Sequence, residues 1–271
     1  MSRVRAVSSM QVLIINLPEA VERMAFQQAQ MQRLGLDYRR LEAVTTGQLD
    51  PPADDAYWKK WQRPLKDTEK AAFLSHKRAW QTALDENRPF LILEDDAMLS
   101  SGVPGFLSSC ELIDWADHIS LEVRGRKKIV GKKPASKEIP VRRLYQDRTG
   151  AAAYILWPSG ANKLLERCRN YSGLADAVIS STYALRSYQC DPALAIQLDM
   201  CGKYGVAVSQ ETSSFIDRGR HDRQLKCCSD PEWYLFKSRR LLSQLRMGLR
   251  HLGRLFVAQR TDIPLSKEFR S

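Results

Sequence analysis

Apolar and polar positions alternate along the chain in two distinct periods. Val12-Leu13-Ile14-Ile15-Asn16-Leu17 is an unbroken, β-branched run closed by Pro18, the pattern of a strand buried on both faces. From Ala20 to Leu34 the apolar residues Ala20, Val21, Met24, Ala25, Met31 and Leu34 fall on one helical stripe, and Gly35 supplies its stop. Tyr38 to Val44 predicts a second strand. The stretch from Thr45 to Lys66, rich in prolines and paired acids, predicts a loop region. A helix capped by Thr68 follows, with Ala71, Ala72, Leu74, Trp80, Ala83 and Leu84 on its inner face and an end near Asn87 and Pro89. Phe90-Leu91-Ile92-Leu93 is then a buried strand.

Beyond Leu99 the pattern predicts a helical piece from Phe106 to Ile113 and a strand from His118 to Val123. A core strand follows at Thr149 to Leu156, then a helix from Ser159 to Cys168, and alternation continues to about Val208. Strand and helix taking turns in this way predict an α/β fold. Between them, residues 124 to 143 carry nine Lys and Arg against Glu138 alone, which predicts a solvated loop or a lid that meets a phosphorylated ligand. Near the end, Leu235, Leu242, Leu245, Leu249, Leu252 and Phe256 recur at steps of three, four or seven residues. Seven cations and no acid lie between Trp233 and Arg260, so 233–260 predicts a basic amphipathic helix. Such a helix either packs on the core with its arginines solvated or lies on an anionic lipid surface.

At 271 residues, with 44% hydrophobic and 27% charged, the chain can bury one substantial core. Its formal charge of +11 asks for an anionic partner. No apolar run approaches the ~18 residues of a membrane span, and Met1 to Gln11 lacks an apolar segment of signal-peptide length, which points to a cytoplasmic protein. The six cysteines form no CxxC pair and have no histidine at zinc-ligand spacing, so reduced thiols are expected.

The candidate chemistry sits at Glu94-Asp95-Asp96, directly after an apolar strand. In α/β sheets that is the carboxyl edge where ligands bind. Three adjacent carboxylates repel one another, and a hard cation such as Mn²⁺ or Mg²⁺ keeps them ionised while gripping a diphosphate. On an extended chain Glu94 and Asp96 face one way and Asp95 the other. An acidic turn that caps the next helix is the plainer alternative. A second group comprises Glu69, Ser75 and His76 on the helix after Thr68. Taken singly, Glu69 is an ordinary first-turn acid and His76 an ordinary core histidine.

Taken together, these residues resemble glycosyltransferase family 25 over roughly residues 11 to 215. The motifs that carry the likeness are Val12 to Leu17 with Glu22-Arg23, then Thr68-Glu69-Lys70 through Phe73-Leu74-Ser75-His76, and Trp80. They continue with Leu93-Glu94-Asp95-Asp96-Ala97 and with Gly150 to Leu156 followed by Gly160-Ala161 and Leu164-Leu165. Members often carry Gly-Cys where this chain has Ala71-Ala72. The resemblance implies a GT-A type, Rossmann-like nucleotide-sugar-binding fold over 11–225, followed by the basic helix 233–260 and a tail 261–271. It implies inverting, metal-dependent transfer of a hexose, often galactose, from a UDP-sugar to a lipooligosaccharide acceptor. The family includes bacterial lipooligosaccharide galactosyltransferases.

On that resemblance Asn16, Leu17, Arg23, Glu69, Ser75, His76, Glu94 and Asp95 would meet the UDP-sugar. Glu94 and Asp96 would hold the metal, with His221 or Asp217 as a later ligand, and Asp176 would be the base that deprotonates the acceptor. Asp176 also reads as a helix-cap acid. The expected partners are UDP-galactose or a similar donor, a lipid-linked oligosaccharide and the anionic inner face of the cytoplasmic membrane, with no nucleic acid. A basic α/β protein that binds nucleic acid or another anion without transferring sugar is the competing reading, as is a metal-dependent phosphohydrolase. The first is weakened because no aromatics interleave the basic stretches, the second because no second acidic cluster stands at two-metal spacing.

Overall fold

A computed structural model describes residues 10–147, 150–207 and 230–269. The chain has a mixed α/β fold, the class expected from its sequence. Its opening unit is β1 (Val12–Asn16), α1 (Val21–Leu34) and β2 (Tyr38–Glu42). β1 is buried at every position, as a continuous apolar run requires, whereas β2 is an edge strand with exposed Arg39, Arg40 and Glu42. Gly35 ends α1 in the left-handed region at φ 62°, a conformation that glycine adopts without strain.

The chain continues through α2 (Asp67–Asp85), β3 (Phe90–Glu94), β4 (Ala97–Leu99), α3 (Val103–Cys110), β5 (His118–Ser120) and β6 (Glu122–Val123). Next come β7 (Lys128–Pro134), β8 (Val141–Gln146), β9 (Ala153–Leu156), α4 (Pro158–Cys168), α5 (Ala175–Ser181), β10 (Ser187–Cys190) and β11 (Ala195–Gln197). The last elements are α6 (Cys201–Tyr204), α7 (Asp230–Leu252) and β12 (Ala258–Thr261). The large sheet runs β12-β7-β8-β10-β5-β9-β3-β1-β2, with β1 parallel to both β2 and β3. One core fills the face covered by α1 and α3, and a second, with Phe73 and Trp80 at its centre, fills the face covered by α2, α4 and α5.

Two details place the site. Ile15 of β1 lies opposite Glu94 of β3, so Asn16 and the three acids emerge at the same carboxyl edge. The expected single strand 118–123 is broken at Leu121, where the chain leaves the large sheet and enters a small sheet, β4-β11-β6. That small sheet carries Gln197 back to the acids.

Three expectations are corrected. The basic stretch 124–143 is not a loop: it forms most of the β7–β8 ladder inside the sheet. Its Ile129, Val130, Ile139 and Val141 are buried, a strand signal outweighed in the sequence by the count of cations. Lys128 is buried there because Asp147 at 2.6 Å, Gln189 Oε1 at 2.6 Å and the Glu122 carbonyl at 3.0 Å receive its ammonium. Second, α2 begins at Asp67 rather than from a Thr68 cap, and Pro158 rather than Ser159 opens α4. Third, the tail helix stops at Leu252, before 260. Gly253 closes it, short turns follow, and residues 258–261 join the large sheet by pairing with β7.

Candidate active site

A cavity of about 320 Å³ opens at the carboxyl edge between β1, β3 and the start of α2. Leu17, Arg23, Ser75, His76, Glu94, Asp95 and Asp96 line it, together with Thr45, Thr46 and Thr68. Seven residues named from the sequence thus share one wall.

The three acids have different roles. Asp95 turns inward, where Asn16 Nδ2 donates to it at 2.8 Å and Arg23 pairs with it at 2.9 Å. The turn's backbone is fixed from α1: Gln27 donates to the carbonyls of Asp95 at 3.1 Å and Ala97 at 2.8 Å. Gln30 donates to the Ala97 carbonyl at 3.0 Å and accepts the Leu99 N–H at 2.8 Å. The strand ends at Glu94 and Asp95-Asp96 form a turn, so the extended chain expected here is not what places the acids; the turn itself sets Asp96 beside Glu94. The Gln197 amide reaches both, at 3.2 Å to Glu94 and 3.5 Å to Asp96.

Their protonation follows from these contacts. Burial works to raise Glu94, but the His76 hydrogen bond and the nearby Arg124 charge hold it below the ordinary carboxylate range. Asp96 has only the long contact with the Gln197 amide, 3.5 Å, and the charge of Arg23 on its side. Burial and the charges of Glu94 and Asp95 push it up to about 7. The edge therefore carries more negative charge than the surrounding protein compensates.

Behind Glu94 lies a buried relay. Trp80 Nε1 donates to the Tyr154 hydroxyl at 2.8 Å, that hydroxyl lies 2.9 Å from His76 Nδ1, and His76 Nε2 lies 3.1 Å from Glu94 Oε1. An ionised Glu94 only accepts, so His76 donates to it from Nε2. The relay sets the orientation of both the imidazole and the carboxylate. Ser75 is held at the cavity wall by accepting the Val44 N–H at 2.9 Å and donating to the Ala71 carbonyl at 2.8 Å.

Other expected site residues lie elsewhere. Glu69 is not in the cavity wall: Arg63 grips it in a fork at 2.7 and 2.8 Å, and it accepts the Lys66 N–H at 3.0 Å, so it closes the first turn of α2. Asp176 sits in the first turn of α5 and accepts the Ala177 N–H at 2.7 Å, as a helix-start acid does. It also borders a small neighbouring cavity, and burial with the charges of Glu94 and Asp147 raises it to about 6. His221 and Asp217 lie outside the described residues.

Sequence reasoning missed Gln197, Tyr154 and the paired amides of α1. Gln197 carried a readable signal, since it ends the apolar strand Ala195-Ile196 as Glu94 ends its own. Gln27 and Gln30 occupy inward helical positions where apolar residues are the rule.

The family model for glycosyltransferase family 25, described as LPS biosynthesis protein, matches residues 10–179. The chain belongs to glycosyltransferase family 25. Among curated members, it is similar to the lacto-N-neotetraose biosynthesis glycosyltransferase LgtB of Neisseria meningitidis serogroup B, 32% identical over 102 residues, which are 36% of this chain and 37% of that protein. It is also similar to LgtE of the same organism, 28% identical over 192 residues, 62% of this chain and 68% of that one. The chain thus matches little more than a third of the length of LgtB. A solved glycosyltransferase involved in glycosylating the major capsid of PBCV-1 superposes with a TM-score of 0.38 at 11% identity, over 70% of this chain and 92% of that one. The family-25 region contains the whole acidic edge, the His76 relay and Asp176.

Proposed function

We propose that the chain is an inverting glycosyltransferase that moves a hexose from UDP-galactose or a similar UDP-sugar to a saccharide acceptor of the lipooligosaccharide type. The observation that carries this reading is the division of labour at the edge. Asp95 is spent on Asn16 and Arg23, while Glu94 and Asp96 are left facing a cavity of about 320 Å³, a size within the range of small-molecule sites.

The donor set fits a hard divalent cation shared with a diphosphate. Among the described residues no group of three or more His, Cys, Asp or Glu could hold an ion alone. Glu94 and Asp96 are two neighbouring carboxylates on the cavity, Asp96 without an ion-pair partner among the described residues, and Mg²⁺-type ions commonly take one or two carboxylates plus substrate phosphates. When bound, such an ion supplies neutralisation of the charge on the departing diphosphate. The chain's own residues do the rest: His76 and Gln197 orient Glu94, Arg23 and Asn16 hold the turn, and Asp176 takes the acceptor hydroxyl proton as the new glycosidic bond forms.

The acceptor's setting is read from α7. Leu235, Leu242, Leu245 and Leu249 are 52, 52, 57 and 69% exposed, interleaved with the exposed cations Lys237, Arg240 and Arg246. No described helix is long and apolar enough to cross a membrane. This surface suits the interface of an anionic bilayer, where a lipid-linked acceptor would be presented. The deciding experiment is calorimetric titration of UDP-galactose with and without Mn²⁺, alongside transfer to a lipooligosaccharide acceptor. Binding strengthened by Mn²⁺ and lost in Asp96→Ala is expected. Absence of binding by any UDP-sugar, with Mn²⁺ present or absent, overturns the reading.

A further inference from the structure

A second cleft, about 750 Å³, runs between the C-terminal half of α7 and the strands β7 and β12. Arg126, Lys127 and Arg260 stand on its rim. Its acids are already engaged: Asp147 with Lys128 at 2.6 Å, and Asp262 with Lys127 at 3.9 Å. The side chains of Arg126 and Arg260 have no hydrogen bond or ion pair with a described residue, so among the described residues the cleft keeps two unpaired guanidinium groups.

Its inner end points toward the chemistry. Gln146 and Asp147 line both this cleft and the small cavity that Asp176 borders, so the two spaces share that pair as a common wall. The small cavity, about 20 Å³, has room for roughly one water or one hydroxyl. His118 in its wall is 2% exposed, and neither ring nitrogen has a hydrogen-bond partner among the described residues. Burial with the charges of Lys128 and Arg143 drives His118 down to about 3, so it stays neutral. A hydroxyl group entering the cavity would satisfy a nitrogen that the fold leaves bare.

The outer wall is open by construction. Gly248 lies inside α7, where glycine costs a helix roughly 1 kcal/mol relative to alanine, and a Cβ placed there would meet nothing within 4 Å. Neither a close approach to another element nor a positive φ accounts for this glycine, and it borders the cleft.

We propose that this cleft is the acceptor subsite and that it takes a saccharide bearing a phosphoryl group. The phosphoryl sits between Arg126 and Arg260, and a sugar hydroxyl is directed past Gln146 toward Asp176. The fork of donors on arginine matches phosphoryl oxygens. The assignment of the occupant as acceptor rests on the glycosyltransferase reading; the binding of a phosphorylated sugar does not.

The test uses the full chain and glucose 6-phosphate, glucose, glucuronate and inorganic phosphate as probes, titrated calorimetrically at low salt. Glucose 6-phosphate is expected to bind saturably and at least about tenfold more tightly than each of the other three. Arg260→Ser and Gly248→Trp, the second a plug that leaves the charge intact, are each expected to weaken it about tenfold. UDP-galactose binding at the acidic edge is expected to remain within about twofold in both variants, since neither position borders that cavity. Equal binding of glucose or glucuronate, competition by inorganic phosphate at equal strength, or indifference to both substitutions overturns the proposal. Failure of the wild-type chain to bind any UDP-sugar removes the transferase reading instead and leaves the glucose 6-phosphate arm standing.

Discussion

The acidic edge and helix α7 break the same rule in opposite directions. At the edge, carboxylates are taken out of water, and nearly every polar group around them is answered: Asp95 by Asn16 and Arg23, Glu94 by His76 and Gln197. Along α7, leucines stay 52 to 69% exposed, although Phe236 and Arg250 hold the helix to the body. Burial of charge is costly unless each group is paired, and exposed apolar surface is costly unless something covers it. The first region has met its cost inside the fold and retains one carboxylate, Asp96, that it does not satisfy. The second has left its cost to be met from outside. On the proposed function the first region performs the chemistry and the second positions it, and substitutions in the two regions should therefore fail in different assays.

The largest effect belongs to Asp176. As the proposed general base it would work ionised, and its carboxyl is raised to about 6, so kcat should rise with pH through about 6 and be lost below it. Asp176→Asn should lower kcat by about 10²–10⁴ with donor affinity unchanged and should remove that limb of the profile. A raised carboxyl also means that the folded state holds its proton more tightly than the unfolded chain does, so stability from this group declines as pH rises toward 6 and stays lower above it. Thermal melts at pH 8 should accordingly show the Asn variant slightly more stable than the parent. Asp96→Asn comes next: at least about a hundredfold loss of transfer, together with loss of the Mn²⁺ effect on UDP-sugar binding. Full transfer by that variant would move the chemistry away from the edge.

Much of the first region was legible in the sequence because its signals are local. The apolar run before Pro18, the apolar strand that ends at Glu94 and the acidic triplet at its carboxyl end need no knowledge of distant contacts. Glu69 shows where that logic ends. Its type and position fit a ligand equally well, and only the fold reveals Arg63 closing on it. Gln197 arrives from a different sheet about a hundred residues later, through a crossover that periodicity does not encode. The β7–β8 ladder was hidden for another reason. Its cations outnumber its strand formers, and the burial of Lys128 depends on Asp147 and Gln189, partners chosen by pairing rather than by propensity.

A subtler break in the first region is Tyr154→Phe. It removes one oxygen from the middle of the relay and leaves the Trp80 N–H and His76 Nδ1 buried without partners. Denaturant unfolding should show a loss of about 1–3 kcal/mol. Transfer should fall only several-fold, because Glu94 keeps its contacts with His76 Nε2 and Gln197. A loss of transfer as deep as that of Asp96→Asn would promote the relay from positioning Glu94 to moving a proton.

The smallest effect on chemistry, and the sharpest contrast with the edge, is expected in α7. Leu242→Ser with Leu245→Ser changes two side chains that are 52 and 57% exposed, so unfolding should shift by less than about 0.5 kcal/mol and transfer to a soluble acceptor should stay within about twofold. Cosedimentation with vesicles containing phosphatidylglycerol should nonetheless weaken strongly, since the apolar face that enters the interface is gone. Replacing Arg240 and Arg246 with Ser should weaken the same binding by roughly 1 kcal/mol per cation, an effect that salt erases in the parent and that neutral phosphatidylcholine vesicles do not show. The two pairs distinguish the components: lost leucines should lower binding at every salt concentration, lost arginines only at low salt. Unchanged cosedimentation in both would leave the exposed stripe to a second protein surface and would detach α7 from the lipid altogether.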